Sequence, residues 1–277
     1  MRIKMWGVRG SIPSPGPDTV EFGGNTSCYE VRCGDALIIL DGGTGLRLMG
    51  QELLREMPVE AWMFFSHVHW DHIQGFPFFT PAFVRGNTFH LRGGVNVSRT
   101  LEETLAGQMD YPSFPVHLSE MGATMTFRDL YEGETVMVGP RNNVKVTNAR
   151  GNHPNGVYAY RIEYEGKVLV YITDSEHYAI VDPKLKKLSK DADVLIFDAM
   201  YTPEEYAGEA GGGPKTGWGH ATFAAGCELA KEANVKQLVL HHHDPNQTDA
   251  MVREKERRAR ELFPNTMAAK EGAVIEL

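Results

Sequence analysis

The chain has 277 residues, enough for one large domain with its own core. Hydrophobic residues make up 42% and charged residues 23%, an ordinary globular balance that excludes a disordered or fibrous chain. The formal net charge of −8 argues against a broad nucleic-acid-binding face, which normally shows as a basic surface.

The opening strand is expected at 2–8, followed by a turn at Gly10-Ser11-Ile12-Pro13. No apolar h-region or cleavage pattern follows Met1, so no signal peptide is expected. No stretch approaches the roughly 18 apolar residues of a membrane span. The three cysteines are Cys28, Cys33 and Cys227, and none forms a C-x-x-C pair. That odd number fits a reducing compartment, hence a cytoplasmic protein. Cys28 and Cys33 read as small hydrophobes near or on a strand.

Further strands are expected at 29–32 and 36–41, then a helix at 46–57 that stops before Pro58. An apolar strand at 61–66 leads into a cluster of histidines. A helix is expected at 98–109, then strands at 124–128, 135–138, 144–149, 157–163 and 167–173, with Glu165-Gly166 as a hairpin turn. Asp182-Pro183 reads as a cap and first position of a helix over 184–190. A strand at 194–198 precedes a glycine-rich segment, 208–219, read as a mobile loop because strong motifs flank it. A helix at 222–232, a strand at 237–242, a helix at 248–262 and a strand at 273–277 complete the chain. The run Arg253-Glu254-Lys255-Glu256-Arg257-Arg258 reads as a solvated helix face with i,i+4 pairing. Strands in groups separated by single helices predict an α/β sandwich, expected as one domain over 1–277.

The chemistry concentrates at strand ends. His67-Val68-His69-Trp70-Asp71-His72 puts four imidazole or carboxylate groups within six residues. An extended backbone turns His67 and His69 to one side, while Asp71 and His72 lie where the chain can turn away. One segment can thus feed two adjacent metals, and its ligand types suit zinc, with iron or manganese as alternatives. His153 follows the strand at 144–149, and Asp174 follows an apolar strand, well placed to lie between two cations. His241-His242-His243 end a late strand, where alternation puts His242 on one face and its neighbours on the other.

These features together resemble the metallo-β-lactamase superfamily over nearly the whole chain. The matching residues are the HxHxDH segment at 67–72, His153, Asp174, a late histidine, and Leu40-Asp41-Gly42-Gly43-Thr44-Gly45. The resemblance implies a four-layer αββα sandwich with metals at one edge. It implies His67, His69 and His153 on one divalent cation, Asp71, His72 and a C-terminal histidine on the other, and Asp174 between them. The family's spacing favours His242 over His243. Asp41 matches a residue that orients the ligands from behind.

Two features refine the branch. His69 stands where flavin-linked diiron members carry an acid. Gly219-His220-Ala221-Thr222 resembles the His-Ser-Thr motif of the phosphodiesterase branch, which includes ribonuclease Z and cyclic-phosphate phosphodiesterases. Trp6-Gly7-Val8-Arg9-Gly10-Ser11, Gly23-Gly24-Asn25-Thr26-Ser27-Cys28 and Asp198-Ala199-Met200-Tyr201 resemble the same branch. The implied reaction is attack of a metal-bound hydroxide on a phosphodiester, the water's pKa being lowered from ~15.7 toward ~7. Asp71 and His220 are the catalytic candidates, His220 contacting the phosphate or protonating the leaving alkoxide. Asn25 and Asp198 are candidates for supporting positions, and capping explains Asn25 and Ser27 equally well.

Only 20 residues lie between His153 and Asp174, where ribonuclease Z carries a substrate-gripping arm. With the acidic charge, this favours a small substrate, a cyclic nucleotide or related cyclic phosphate, over extended nucleic acid. A ribonuclease Z-like endonuclease and a carboxylic-ester, thioester or lactone hydrolase are the alternatives. Phe76-Pro77-Phe78-Phe79 and Tyr111-Pro112-Ser113-Phe114-Pro115 can wall a base pocket or cap the core. Trp218 can stack on a base or pack within its loop. Homodimers are implied by the resemblance alone.

Overall fold

The computed structural model describes residues 1–94 and 99–277. In chain order the strands and helices are β1 Arg2–Gly7, β2 Cys28–Cys33, β3 Ala36–Leu40, α1 Gly45–Leu53, β4 Glu60–Phe65, α2 Trp70–Ile73, β5 Thr88–Gly94, α3 Leu101–Gly107, β6 Thr124–Leu130 and β7 Thr135–Val138. They continue as β8 Val144–Gly151, β9 Val157–Tyr164, β10 Lys167–Ile172, α4 Pro183–Ser189, β11 Val194–Asp198, α5 Pro203–Ala207, α6 Phe223–Glu232, β12 Gln237–His241, α7 Asp249–Leu262, β13 Thr266–Ala268 and β14 Val274–Glu276.

The strands form two seven-stranded sheets, ordered β14-β1-β2-β3-β4-β5-β6 and β13-β12-β11-β10-β9-β8-β7. Three apolar clusters define the layers. Ile38, Phe64, Tyr160, Leu169 and Ile196 meet between the sheets. Leu46, Met49 and Leu53 of α1 and Leu101 and Leu105 of α3 cover the outside of the first sheet. Leu185 of α4, Phe223 and Leu229 of α6 and Ala259 of α7 cover the outside of the second. This is the four-layer αββα sandwich that the sequence predicts. β3, β10 and β11 are buried on both faces, and their runs Ala-Leu-Ile-Ile-Leu, Val-Leu-Val-Tyr-Ile and Val-Leu-Ile-Phe are continuously apolar for that reason.

Strand direction decides where the chemistry lies. β10, β11 and β12 are mutually parallel. β8 reaches β10 through two antiparallel pairings and therefore runs the same way. All four C-terminal ends open on one edge, where loops can present side chains to a ligand. β4 of the other sheet ends beside them. Tyr160 donates its hydroxyl to Phe65 O at 2.6 Å, and Tyr158 N–H donates to Ser66 O at 2.8 Å.

The helix caps carry the expected chemistry. Asp182 Oδ1 accepts Lys184 N–H at 2.7 Å, and Thr222 Oγ1 accepts Ala225 N–H at 3.2 Å. Glu165 and Gly166 both have positive φ, 49° and 74°, and join β9 to β10 directly.

Four expectations shift. β5 and β13 were not expected: β5 interleaves His90 and Arg92 with its apolar residues, and β13 is three residues long, held by parallel pairing to β12. The helix expected over 46–57 ends at Leu53, after which Arg55 and Glu56 make tighter bonds to Glu52 O and Leu53 O. The helix expected over 98–109 runs from Leu101 behind a Thr100 capping box, and Ser98 lies outside the described residues. The charged face of α7 is solvated, with Arg257 paired to Glu254 and Glu261, except at Lys255, which is buried. Among the described residues no helix is long and apolar enough to cross a membrane.

Candidate metal centre

β4 delivers the first group of donors. Beyond Phe65 the chain bends at Ser66 and is extended at His69, whose ψ is 154°, before it turns into the one-turn helix α2. The His67 and His69 rings lie 4.4 Å apart, while α2 carries Asp71 and His72. His153 follows β8 and meets the first pair, its Nε2 lying 3.1 Å from His69 Nδ1. One ligating atom from each of His67, His69 and His153 fits within a 4.8 Å span.

The second group draws on three elements and is buried throughout. Asp71 and His72 come from α2, Asp174 from the end of β10 and His242 from the end of β12, and their ligating atoms also lie within 4.8 Å of one another. His242 Nε2 lies 3.1 Å from Asp71 Oδ2, and His72 Nε2 lies 3.2 Å from it. Asp71 is itself fixed by Ser11 N–H at 2.7 Å.

Asp174 faces both groups. Its Oδ1 is 3.2 Å from His72 Nε2 and 3.1 Å from His242 Nε2. Its Oδ2 is 3.7 Å from His67 Nε2 and 3.8 Å from His153 Nε2.

The three consecutive histidines diverge because the backbone turns left-handed at His242, with φ 61°. His241 stays in the core, its Nδ1 2.8 Å from Tyr29 Oη and its Nε2 3.1 Å from Ser27 Oγ. His243 turns the other way, 3.0 Å from Ala269 O. Only His242 of the three joins the cluster, and Gly10 makes room for it, since a Cβ there would sit 2.3 Å from the ring. Asp41 and Asp174 share the left-handed backbone, at φ 59° and 48°.

The groups fit divalent cations. His67 Nε2 is buried with no hydrogen-bond partner, although it points among the other donors. Burial holds His67, His69 and His153 below the usual imidazole range, leaving the neutral form that binds metal. At His72 burial works the same way, but Asp71, Asp174 and Asp41 outweigh it and lift the ring well above that range. Burial also opposes charge on Asp174, yet His242, His72 and His67 keep its carboxyl well below the usual range. The second group thus calls for positive charge, which a divalent cation supplies directly.

A supporting shell braces these donors. Asp41 accepts four hydrogen bonds: Ser66 N–H at 2.7 Å, Ser66 Oγ–H at 2.9 Å, His72 Nδ1–H at 2.8 Å and Tyr171 Oη–H at 2.6 Å. With Nδ1 of His72 so engaged, its Nε2 is left to face the cluster. Asp198, at the end of β11, lies 3.0 Å from His220 Nδ1. Asp174, Asp198, His220 and His242 also group within 4.8 Å. Burial alone lowers the His220 pKa; Asp198, then Asp174 and Asp71, more than offset this and lift it to about 9.

Asn25 donates its N–H and side-chain amide to Glu271 at 2.5 and 2.9 Å, and so ties the N-terminal loop to the C-terminal segment. Of the aromatic segments, Phe76 and Phe79 are buried in the outer core, whereas Phe78 is exposed and meets Phe114 edge-on. Trp218 is exposed beneath Lys215. Sequence reasoning missed Ser66 and Tyr171. Ser66 could have been found as the hydroxyl directly before the histidine segment; Tyr171 carries no comparable local signal.

This donor set at one edge of an αββα sandwich defines the class, a hydrolase that works with bound divalent metal. The family model described as "Beta-lactamase superfamily domain" matches residues 37–243, which include every donor named above, and the chain belongs to that superfamily. Curated proteins similar to it are named ribonuclease Z. Over 263 residues it is 26% identical to the ribonuclease Z of Thermococcus sibiricus, covering 80% of this chain and 81% of that protein. It is 33% identical to the ribonuclease Z of Ligilactobacillus salivarius over 107 residues, 39% of this chain and 31% of that protein, so that match spans less than a third of the relative. The metallo-β-lactamase-fold protein YhfI of Bacillus subtilis superposes with a TM-score of 0.72 at 21% identity, covering 100% of this chain and 98% of that one.

Proposed function

We propose that this enzyme hydrolyses a small phosphodiester, a cyclic nucleotide or related cyclic phosphate, with two divalent cations in its site. His67, His69 and His153 would hold one; Asp71, His72 and His242 would hold the other; Asp174 would serve both. Zinc suits this imidazole and carboxylate set best, with manganese and iron as alternatives. The observation that carries the phosphodiester reading is the His220–Asp198 pair beside Asp174.

Bound there, the cations would polarise the phosphoryl group and acidify water. The chain's own residues supply the rest. Asp198 on Nδ1 orients the His220 ring and supports its protonated form, so that the opposite nitrogen can give a proton to the departing alkoxide. An alkoxide leaves poorly without that proton. Asp71, held by Ser11 N–H, is the carboxylate placed to orient the attacking water.

The small-substrate reading rests on the path from His153 to Asp174. That stretch is a plain hairpin, β9 and β10 joined by two residues, with no room for an inserted arm. The ribonuclease Z relatives favour a second reading, an RNA endonuclease, and the −8 net charge weighs against it.

One panel tests these readings. Zinc- or manganese-loaded protein is expected to turn over bis-p-nitrophenyl phosphate and a 3′,5′-cyclic nucleotide. Carboxylic esters, thioesters and lactones should react more slowly. Cleavage of precursor transfer RNA without turnover of any cyclic nucleotide would establish the second reading, and a preference for esters would overturn both.

A further inference from the structure

Glu176 lies two residues beyond Asp174 and is buried. Its carboxylate gathers three donors from one segment of chain. Oε1 accepts the Tyr206 hydroxyl at 2.6 Å and Gly217 N–H at 2.7 Å, and Oε2 accepts Gly219 N–H at 2.9 Å. The main chain of Glu176 is anchored in turn, its N–H donating to Asn152 O at 2.8 Å, beside His153.

The segment so held is the glycine-rich loop between α5 and α6. Gly208, Gly211, Gly212, Gly213, Gly217 and Gly219 all have positive φ. Glycine loses more backbone freedom on ordering than any other residue, so such a loop needs external ties to hold one shape. Its last residues bear on the site. Gly219 O accepts Nδ1–H of His153 at 2.8 Å, which turns His153 Nε2 toward His69. A Cβ at Gly219 would lie 2.1 Å from that Nδ1, so the loop backbone rests against the ring. His220 is the next residue.

We propose that Glu176 is a positioning residue. By fixing Gly217 and Gly219 it aims the Gly219 carbonyl at His153 and sets His220 over Asp174. This rests on the reading of His153 as a metal donor and His220 as the proton donor. Glu176 itself touches neither cation nor substrate. Because Gly219 links loop to donor, coupling runs both ways: a cation on His153 orders the loop, and an ordered loop favours the cation.

The test uses the full chain, with and without zinc, as wild type, Glu176→Gln and Tyr206→Phe. Glutamine keeps the shape but turns an amide N–H₂ against a donor. Phenylalanine removes one donor and leaves the carboxylate intact. Lys215 lies within the loop and provides a trypsin site. In wild type, zinc is expected to slow cleavage after Lys215 about tenfold. In Glu176→Gln, cleavage should be about tenfold faster and zinc protection largely lost, with the melting temperature little changed. The His153 ring nitrogen resonances of the zinc-loaded protein should shift, and kcat should fall while KM holds. Tyr206→Phe should fall between the two. A wild-type cleavage rate with full zinc protection in Glu176→Gln would overturn the proposal. So would cleavage throughout the chain with a collapsed melting temperature in both variants, since Glu176 would then serve the fold alone. Should Glu176→Gln not fold, a wild-type cleavage rate in Tyr206→Phe also overturns it, and faster cleavage supports it. The proteolysis and resonance readouts need no turnover, so an error in the assigned reaction would leave them standing.

Discussion

Nδ1 of His220 lies 3.0 Å from Asp198 Oδ2, and both side chains are buried at the cluster edge. Asp198 ends a strand and His220 ends a loop, so the orientation of the ring depends on the carboxylate. Asp198→Asn can turn an amide toward Nδ1 and no longer supports the protonated ring. The expected loss in kcat is about 10²–10⁴-fold with metal content unchanged. The double variant Asp198→Asn/His220→Ala should be no slower than His220→Ala alone. Multiplied losses in steady-state kinetics would show that the two side chains act separately.

The histidine run at 241–243 separates stability from metal binding. His242→Ala should lower the bound metal measured by elemental analysis. His241→Ala should retain metal but cost about 1–3 kcal/mol in urea denaturation, because buried Tyr29 Oη and Ser27 Oγ lose their partner. Loss of metal from His241→Ala at unchanged stability would contradict this division.

Asp41 collects donors from three elements, so its replacement is felt at the metal. Asp41→Asn is expected to weaken metal affinity about 10–100-fold. Tyr171→Phe removes one of the four hydrogen bonds and should cost about 1 kcal/mol of stability with a smaller change in affinity. Competition titration with a chromophoric chelator measures the affinities, and equal affinities in the two variants would remove Asp41 from its supporting role.

Lys255 gives the fold a pH signature of its own. Burial pushes its pKa from 10.5 down to about 7, against the pull of Glu205 and Asp244, while its Nζ donates to Ala199 O and Gln247 Oε1, both at 2.6 Å. Between pH 7 and 10.5 the unfolded chain binds a proton there that the folded chain does not. Stability contributed by this group therefore rises with pH through that window and is lowest below pH 7. Each pH unit within it is worth up to about 1.4 kcal/mol. Urea midpoints at pH 7 and 9 should rise more steeply for wild type than for Lys255→Met, and parallel slopes would refute the assignment.

The sandwich and the donors were legible because most donors sit where an apolar strand stops, a pattern carried by local sequence. His67, His69, Asp71, His72 and Asp174 follow such runs, His153 follows the alternating strand β8, and the structure brings them together with His242. The supporting residues were harder to read. Tyr171 lies inside an apolar strand, and only the second sheet's approach to Asp41 gives its hydroxyl a partner. Lys255 looked solvated because its neighbours on α7 are; the helical turn that exposes Glu254 and Arg257 buries Lys255. The partner of Asn25 was equally hidden, since its side chain turns to Glu271, 246 positions along the chain.

Asp41, Asp174 and His242 all hold a left-handed backbone at the site. Conformations of this kind cost of order 1–3 kcal/mol each, less for aspartate and histidine than for branched residues. Glycine relaxes all three positions, and each change removes a group the chemistry uses. A descendant of this scaffold freed from catalysis, such as an inert binding domain, would gain robustness by adopting glycine at the very places where the enzyme cannot.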